Sequence, residues 1–383
     1  METVLVSDSG NAPNTQDPAT WNMNINYAEL TSSNNIGAVG YNYSIGKYEV
    51  TIGQYTAFLN SVAASDPHGL WKWEMGEDPY SAPIIRRSGS SGSYLYSVIG
   101  ANSNKPISLL TWFDAARFTN WLANGQPIGP QNSSTTEDGA YALNGNNDGL
   151  VFTRNRINPN TGMRPKYWIP SDNEWYKAAY YNHYQDFDTN LVYYADRKSN
   201  AGVGNTRDEY DNYYVTHSNR KDYYNWDTYL TDVGSFSPNL WGIYDMEGNV
   251  SELIDSIAVS RWDHAGNDIL WTDSMLESLE SGDLDLSSLQ ISAIIRGASY
   301  DSNYWNPQYS KDYLYNIGSQ YRDDVGFRVA GLPDVSCAPE PSQVASSLVL
   351  IAGLVGYLAV RNRLGPKLGF KPLEQALVDP KSF

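Results

Sequence analysis

The sequence predicts an α+β body with little regular secondary structure, followed by a single C-terminal transmembrane helix. Three observations predict this. Only three segments carry helix signals, and the rest is rich in Gly, Asn, Asp, Ser and Tyr, which favour turns and short strands. Aromatic residues make up 13% and apolar residues 41%, enough to bury a core and to exclude global disorder. No charge occurs from Ser342 to Val360.

The first helix is expected over Thr51–Ala64, with Thr51 as N-cap, after the strand-like run Tyr43–Val50. The second is expected over Thr111–Ala123, where Thr111 and Asp114 resemble a capping box and Gly125 stands near the end. The third is expected over Ser171–Tyr181, with Ser171 and Glu174 forming an S-x-x-E box after Pro170. No repeat of 20–50 residues is visible. The acidic segment 275–290 reads as a solvated helix or loop.

Charge divides the chain. Residues 1–337 hold 21 basic and 40 acidic side chains; residues 361–383 hold five basic and two acidic. So acidic a body argues against nucleic-acid binding, which needs Lys and Arg to neutralise phosphates. Between these parts, residues 344–360 can cover most of a bilayer core roughly 30 Å thick. Arg361 and Arg363 fit a stop-transfer flank with a cytoplasmic tail, which places the body outside the cytoplasm. Pro339-Glu340-Pro341, the apolar run and the arginines together closely resemble the PEP-CTERM sorting signal of bacterial exported proteins. That resemblance implies an exosortase-type partner and processing at the cell surface, although the tail runs 20 residues past Arg363. Residues 1–30 show neither a basic n-region nor an apolar h-region, so the expectation is that Met1 lies inside a longer precursor.

Catalytic patterns are scarce. The four histidines (His68, His183, His217, His264) are far apart, and there is no nucleophile elbow, P-loop or dinucleotide fingerprint. One cysteine, Cys337, excludes an internal disulfide framework or a Cys-rich zinc site.

Six blocks in order carry a resemblance: IGKYEVTIGQYTAFLN at 45–60, PISLLTWFDAARFTNWL at 106–122, YWIPSDNEWYKAAYY at 167–181, NLWGIYDMEGNVSELIDS at 239–256, IIRGASY at 294–300 and DDVGFRVAG at 323–331. The series resembles the formylglycine-generating enzyme, or sulfatase-modifying factor, family. It implies a C-type-lectin-like fold. The organisation expected is a lead-in at 1–37, the family domain at 38–332, a linker at 333–343, the membrane helix at 344–360 and the tail at 361–383.

The resemblance also implies an oxidase that holds copper on two cysteines. Cu(I) prefers thiolates. Here those positions are Ser302 and Pro307, and no cysteine occurs from 1 to 336, so neither copper nor formylglycine formation is expected. A sulfur-transferring branch uses an N-terminal iron-binding bundle with a histidine cluster, and that chemistry is not expected here. The resemblance implies one calcium site at Asp245, Gly248, Val250 and Glu252, and a second beginning at Asn200 and Ala201. Calcium favours six to eight oxygens, which carboxylates and carbonyls of a tight turn can supply. It implies a substrate groove along Tyr300–Tyr321, where seven of 22 residues are Tyr or Trp. Arg296, Ser299, Tyr300, Ser302, Tyr304 and Trp305 are the groove residues expected to bind ligand. Tyr and Trp give large contact area at low entropic cost. The leading expectation is a non-catalytic, exported, calcium-stabilised module that binds a protein or glycan. The alternatives are a cysteine-free enzyme, favoured by a compact polar pocket, and a structural matrix component.

Overall fold

The computed structural model describes residues 1–14, 28–29, 36–76, 84–147, 153–182, 186–187, 230–262, 268–269, 289–297, 299–300, 311–315 and 321–333. Met1–Pro333 forms one compact unit, and Asp334–Phe383 a second that lies outside the described residues. The Pro-Glu-Pro motif (Pro339, Glu340, Pro341), the apolar run 344–360, Arg361 and Arg363 therefore lie outside them too. Among the described residues, no helix is long and apolar enough to cross a membrane.

In chain order the strands are β1 (Thr3–Val6), β2 (Ala28–Glu29), β3 (Tyr43–Gly46), β4 (Ile85–Ser88), β5 (Leu95–Val98), β6 (Tyr141–Ala142), β7 (Thr153–Arg154) and β8 (Tyr167–Trp168). They continue as β9 (Tyr181–Asn182), β10 (Asp186–Phe187), β11 (Ser251–Trp262), β12 (Asp268–Ile269), β13 (Leu289–Arg296), β14 (Lys311–Tyr315), β15 (Val325–Phe327) and β16 (Ala330–Gly331). The α-helices are α1 (Ile52–Val62), α2 (Trp112–Ala123) and α3 (Asp172–Tyr180).

All three helices begin where their caps place them. Thr51, Thr111 and Ser171 each accept the backbone N–H three residues on, and Gln54, Asp114 and Glu174 each close the box in return. Two orphan donors are satisfied at each start. Asp114 serves where Glu or Gln is usual, its Oδ2 accepting from the Thr111 N–H at 2.8 Å. Helix α1 buries Ile52, Tyr55, Phe58, Leu59 and Val62, the spacing of one apolar stripe. Every residue of α2 is buried, so α2 is the central helix. Its Arg117 pairs with Glu137 at 2.7 Å, and its Asn120 donates to the carbonyls of Thr136 and Tyr141.

A four-stranded sheet runs β1-β3-β16-β8. The N-terminal lead-in is thus built into the body: Thr3–Val6 pairs antiparallel with Tyr43–Gly46. A six-stranded sheet centres on β11, which pairs with β12 and β13 antiparallel and β15 parallel, and also receives β2. The β11–β15 register sets Glu252 opposite Gly326 and Leu253 opposite Phe327. A Cβ at Gly326 would stand 2.4 Å from the Ile107 carbonyl oxygen, so only glycine allows this approach.

The 275–290 segment lies outside the described residues apart from its last two, which belong to β13.

Candidate functional site

Five of the six sequence blocks meet in buried polar contacts. Glu252, on β11, is 1% exposed, and Arg328, just after β15, is 0% exposed. Arg328 Nε donates to both Glu252 oxygens, at 2.8 and 2.7 Å, and Nη2 donates to Oε1 at 2.5 Å. Its remaining donors reach the carbonyls of Gly46 (2.9 Å), Tyr244 (2.9 Å) and Asp245 (3.2 Å). Trp175 of α3 adds an indole N–H to Glu252 Oε2 at 2.7 Å. The guanidinium fork matches the carboxylate plane, and burial strengthens both bonds. The neighbouring Glu252, Glu49 and Asp245 outweigh burial and raise the Arg328 pKa further.

Glu49, from the first block, is buried beside this pair. It accepts from Asn249 Nδ2 at 2.9 Å and from the Val250 N–H at 3.1 Å. Burial, then repulsion from Asp245 and Glu252, pushes its carboxyl well above the usual range. Asp245 is 1% exposed and takes a left-handed φ of 54°. Its Oδ2 accepts from the Gly234 N–H at 2.6 Å. Its Oδ1 is buried with no hydrogen-bond partner among the described residues. Burial raises its pKa to about 6, against the opposing pull of Gly234 and Arg328.

Arg296, expected in the groove, is 0% exposed. It grips Asp172 of α3, Nε to Oδ1 at 2.6 Å and Nη2 to Oδ2 at 3.1 Å, and lies over the Tyr176 ring at 5.4 Å. Ser299 is also 0% exposed, and its hydroxyl donates to Asp324 Oδ2 at 2.8 Å. Arg322 closes the other side of Asp324, at 2.7 and 2.6 Å. Tyr300 is 7% exposed, and its N–H donates to the Asn249 carbonyl at 2.9 Å. Gly297 bends the chain between them at φ +74°, where a Cβ would meet the Met246 carbonyl oxygen at 2.7 Å. The described groove residues are therefore interior residues that tie the fifth block to the third, fourth and sixth. Ser302, Tyr304 and Trp305 lie outside the described residues, as do Asn200 and Ala201.

The calcium donor set fits only in part. Asp245 offers a bare buried oxygen, which a cation could satisfy. Glu252 does not fit, because both its oxygens are engaged by Arg328 and Trp175. Among the described residues, no group of three or more His, Cys, Asp or Glu side chains is arranged to hold a metal.

A second charged cluster went unread in the sequence. The β11–β13 register shifts between Leu253 and Ile257, and the Asp255 N–H donates instead to the Pro170 carbonyl at 2.7 Å. Arg154 Nη1 stands 3.9 Å from both Asp255 Oδ2 and Glu174 Oε2, and its guanidinium lies 4.2 Å over the Trp168 ring. Tyr41 donates to Glu174 Oε1 at 2.9 Å. Burial raises the Asp255 pKa from 3.8 to about 7, even though Arg154 and Tyr141 oppose the shift. The folded state then holds this proton more tightly than the unfolded chain. Its contribution is most favourable at low pH and declines as pH rises from about 4 to about 7. Asp255→Asn is expected to flatten that part of the stability–pH curve and to stabilise the protein by about 1–2 kcal/mol at pH about 8. Urea denaturation at several pH values reads this; an unchanged slope would contradict it.

The sequence signals for this network were present but local. Glu49 in an apolar strand exit and Arg328 in Gly-Phe-Arg-Val are charges in apolar surroundings, which need partners when buried. Nothing in the sequence named the partners.

The model of the sulfatase-modifying factor enzyme 1-like domain matches residues 23–331. Among solved structures, the chain is similar to CarF (18% identity, TM-score 0.42, covering 87% of this chain and 99% of that one). It is also similar to PvdO from Pseudomonas aeruginosa (17%, 0.40, 86% and 94%). A third is Treponema denticola variable protein 1 (14%, 0.41, 86% and 95%). No curated protein matches the chain. The family model covers most of the chain: the chain belongs to the sulfatase-modifying factor enzyme 1-like family.

Proposed function

We propose that the chain is an exported, cell-surface, non-catalytic member of this family that binds a protein or glycan ligand. The observation that carries this reading is the lack of any cysteine from residue 1 to 336, with Ser302 and Pro307 where the family resemblance implies the copper ligands. A hydroxyl is a poor Cu(I) ligand and a proline side chain offers none. Two further observations support it. Arg296 and Ser299 are enclosed in ion pairs and hydrogen bonds, so their polar atoms are engaged in holding the fold. The Tyr- and Trp-rich run at 300–321 has the composition of a ligand-binding face. Export rests on the Pro-Glu-Pro motif, the apolar run 344–360 and the arginines after it, with exosortase-type machinery as the implied partner.

Calcium enters as a stabiliser of the 245–252 turn. Asp245 Oδ1 is its strongest donor; binding through Glu252 requires exchange of Arg328 for the ion. Two measurements test the reading. Full-length protein is incubated with copper and a cysteine-containing peptide, and the peptide mass is followed. No aldehyde product is expected, and conversion of cysteine to formylglycine would overturn the assignment. Calorimetry with calcium is expected to show binding that Asp245→Asn removes. Absence of binding would restrict the account to a metal-free module.

A further inference from the structure

The body is strongly acidic, yet residues 149–171 contain no Asp or Glu and four basic residues, Arg154, Arg156, Arg164 and Lys166. Within this stretch the 155–166 loop is held in one shape by its own polar groups. The Asn158 N–H donates to the Met163 carbonyl at 2.7 Å, and the N–H groups of Thr161 and Gly162 return to the Asn158 carbonyl. Asn158 is fully buried, and its amide reaches the Ala123 carbonyl and Asn124 Oδ1 at the end of α2. Asn160 Nδ2 adds donations to the Ser133 and Asp138 carbonyls at 2.7 and 3.1 Å.

The asparagines lock the loop but leave its apolar side chains outside. Ile157 is 55% exposed and Met163 is 66% exposed, and the Asn158–Met163 bond brings their positions together. Arg156 and Arg164 flank them, both exposed, and neither forms an ion pair among the described residues. Lys166 is exposed two positions further on. The acid nearest in the bonding pattern, Asp138, has its Oδ1 engaged by Asn155 Nδ2 at 2.7 Å and by the Gly139 N–H. Single exposed aliphatics are ordinary. Two on a rigid tip, bracketed by arginines in an acid-free stretch of an acidic protein, are not explained by packing.

We propose that the 155–166 loop is a contact for an anionic lipid surface, with Ile157 and Met163 entering the headgroup boundary and Arg156 and Arg164 meeting lipid phosphates. Charge complementarity between this acid-free, arginine-bearing stretch and an anion favours an anionic partner. Basic side chains around an aliphatic tip suit the bilayer interface, where arginine meets lipid phosphate and aliphatic carbon enters the acyl boundary. The pinned backbone means that little conformational entropy is lost on contact. This inference stands apart from the ligand-binding reading and survives its failure.

The test uses the full-length chain with Cys337→Ser and Met163→Cys, carrying an environment-sensitive dye at residue 163. The label reports the surroundings of the loop itself, whatever other segments do. Phosphatidylglycerol-containing vesicles are expected to shift the emission to the blue, and phosphatidylcholine vesicles to leave it unchanged. High salt is expected to remove the shift, since at about 1 M the screening length falls to about 3 Å. Arg156→Glu with Arg164→Glu is expected to weaken the response at least about tenfold. Both positions are exposed, so circular dichroism should be unchanged. An equal response to both vesicle types, or to neither, would overturn the proposal. A response to soluble polyglutamate without vesicles would overturn it in favour of an acidic macromolecule.

Discussion

Arg328→Ala is expected to destabilise the body by about 3–5 kcal/mol, the cost of leaving a buried charge without its partner. The loss exceeds one ion pair. Arg328 also donates to the carbonyls of Gly46, Tyr244 and Asp245, and these contacts would be lost with it. Glu252 would then lose its cation, with the carboxyls of Glu49 and Asp245 buried beside it. Against a typical domain stability of about 5–15 kcal/mol, the variant should be largely unfolded in mild urea. Pairing it with Glu252→Gln should recover part of the loss, since the change removes one of the stranded charges. Urea midpoints for the two single variants and the double variant check this. Additive losses would show that the two side chains do not act as a pair.

Phe118→Ala is expected to cost a similar amount, about 3–5 kcal/mol, by a different cause. Phe118 is 1% exposed on α2. Its ring packs 5.3 Å from Phe58, 5.7 Å from Trp121 and 5.4 Å from Phe327, with Tyr55 at 6.0 Å. These contacts join α1, α2 and β15, so truncation opens a cavity where the helices meet the large sheet. Four rings of fixed shape cannot close over the gap without leaving their rotamers. Phe118→Leu should restore more than half of the loss by filling most of that volume. Thermal unfolding of both variants reads the difference. Equal losses for Ala and Leu would mean that edge-to-face ring geometry dominates over volume.

Much of the fold was legible because its signals are local. Thr51, Thr111 and Ser171 mark helix starts through a pattern that acts over three residues; the boxes read at Thr111 and Ser171 close, and Thr51, read as a cap alone, closes a further box with Gln54. Long-range pairing was not legible. Glu252 and Arg328 are 76 positions apart, and Glu49 and Asn249 are 200 apart. Spacing carries no sign of either meeting. The strand at Thr3–Val6 is four residues long and gains its stability from Tyr43–Gly46, so its own sequence gives little warning. The candidate site shows the same division. Motif order located Arg296, Ser299, Asp245 and Glu252, but not their burial. An arginine written beside a ligand groove and an arginine locked on Asp172 look alike in one dimension. Asp255 was missed because its setting arises from a register shift in β11 that brings it to Arg154.

We propose above that this chain does not carry out copper-dependent oxidation. Titration of the full-length protein with Cu(I), followed by calorimetry beside a Cys337→Ser control, tests it most directly. The account predicts no tight stoichiometric copper binding by the control, and at most weak binding attributable to Cys337 in the parent chain. Tight one-to-one binding that survives Cys337→Ser would contradict it, and would reveal a redox site built without thiols.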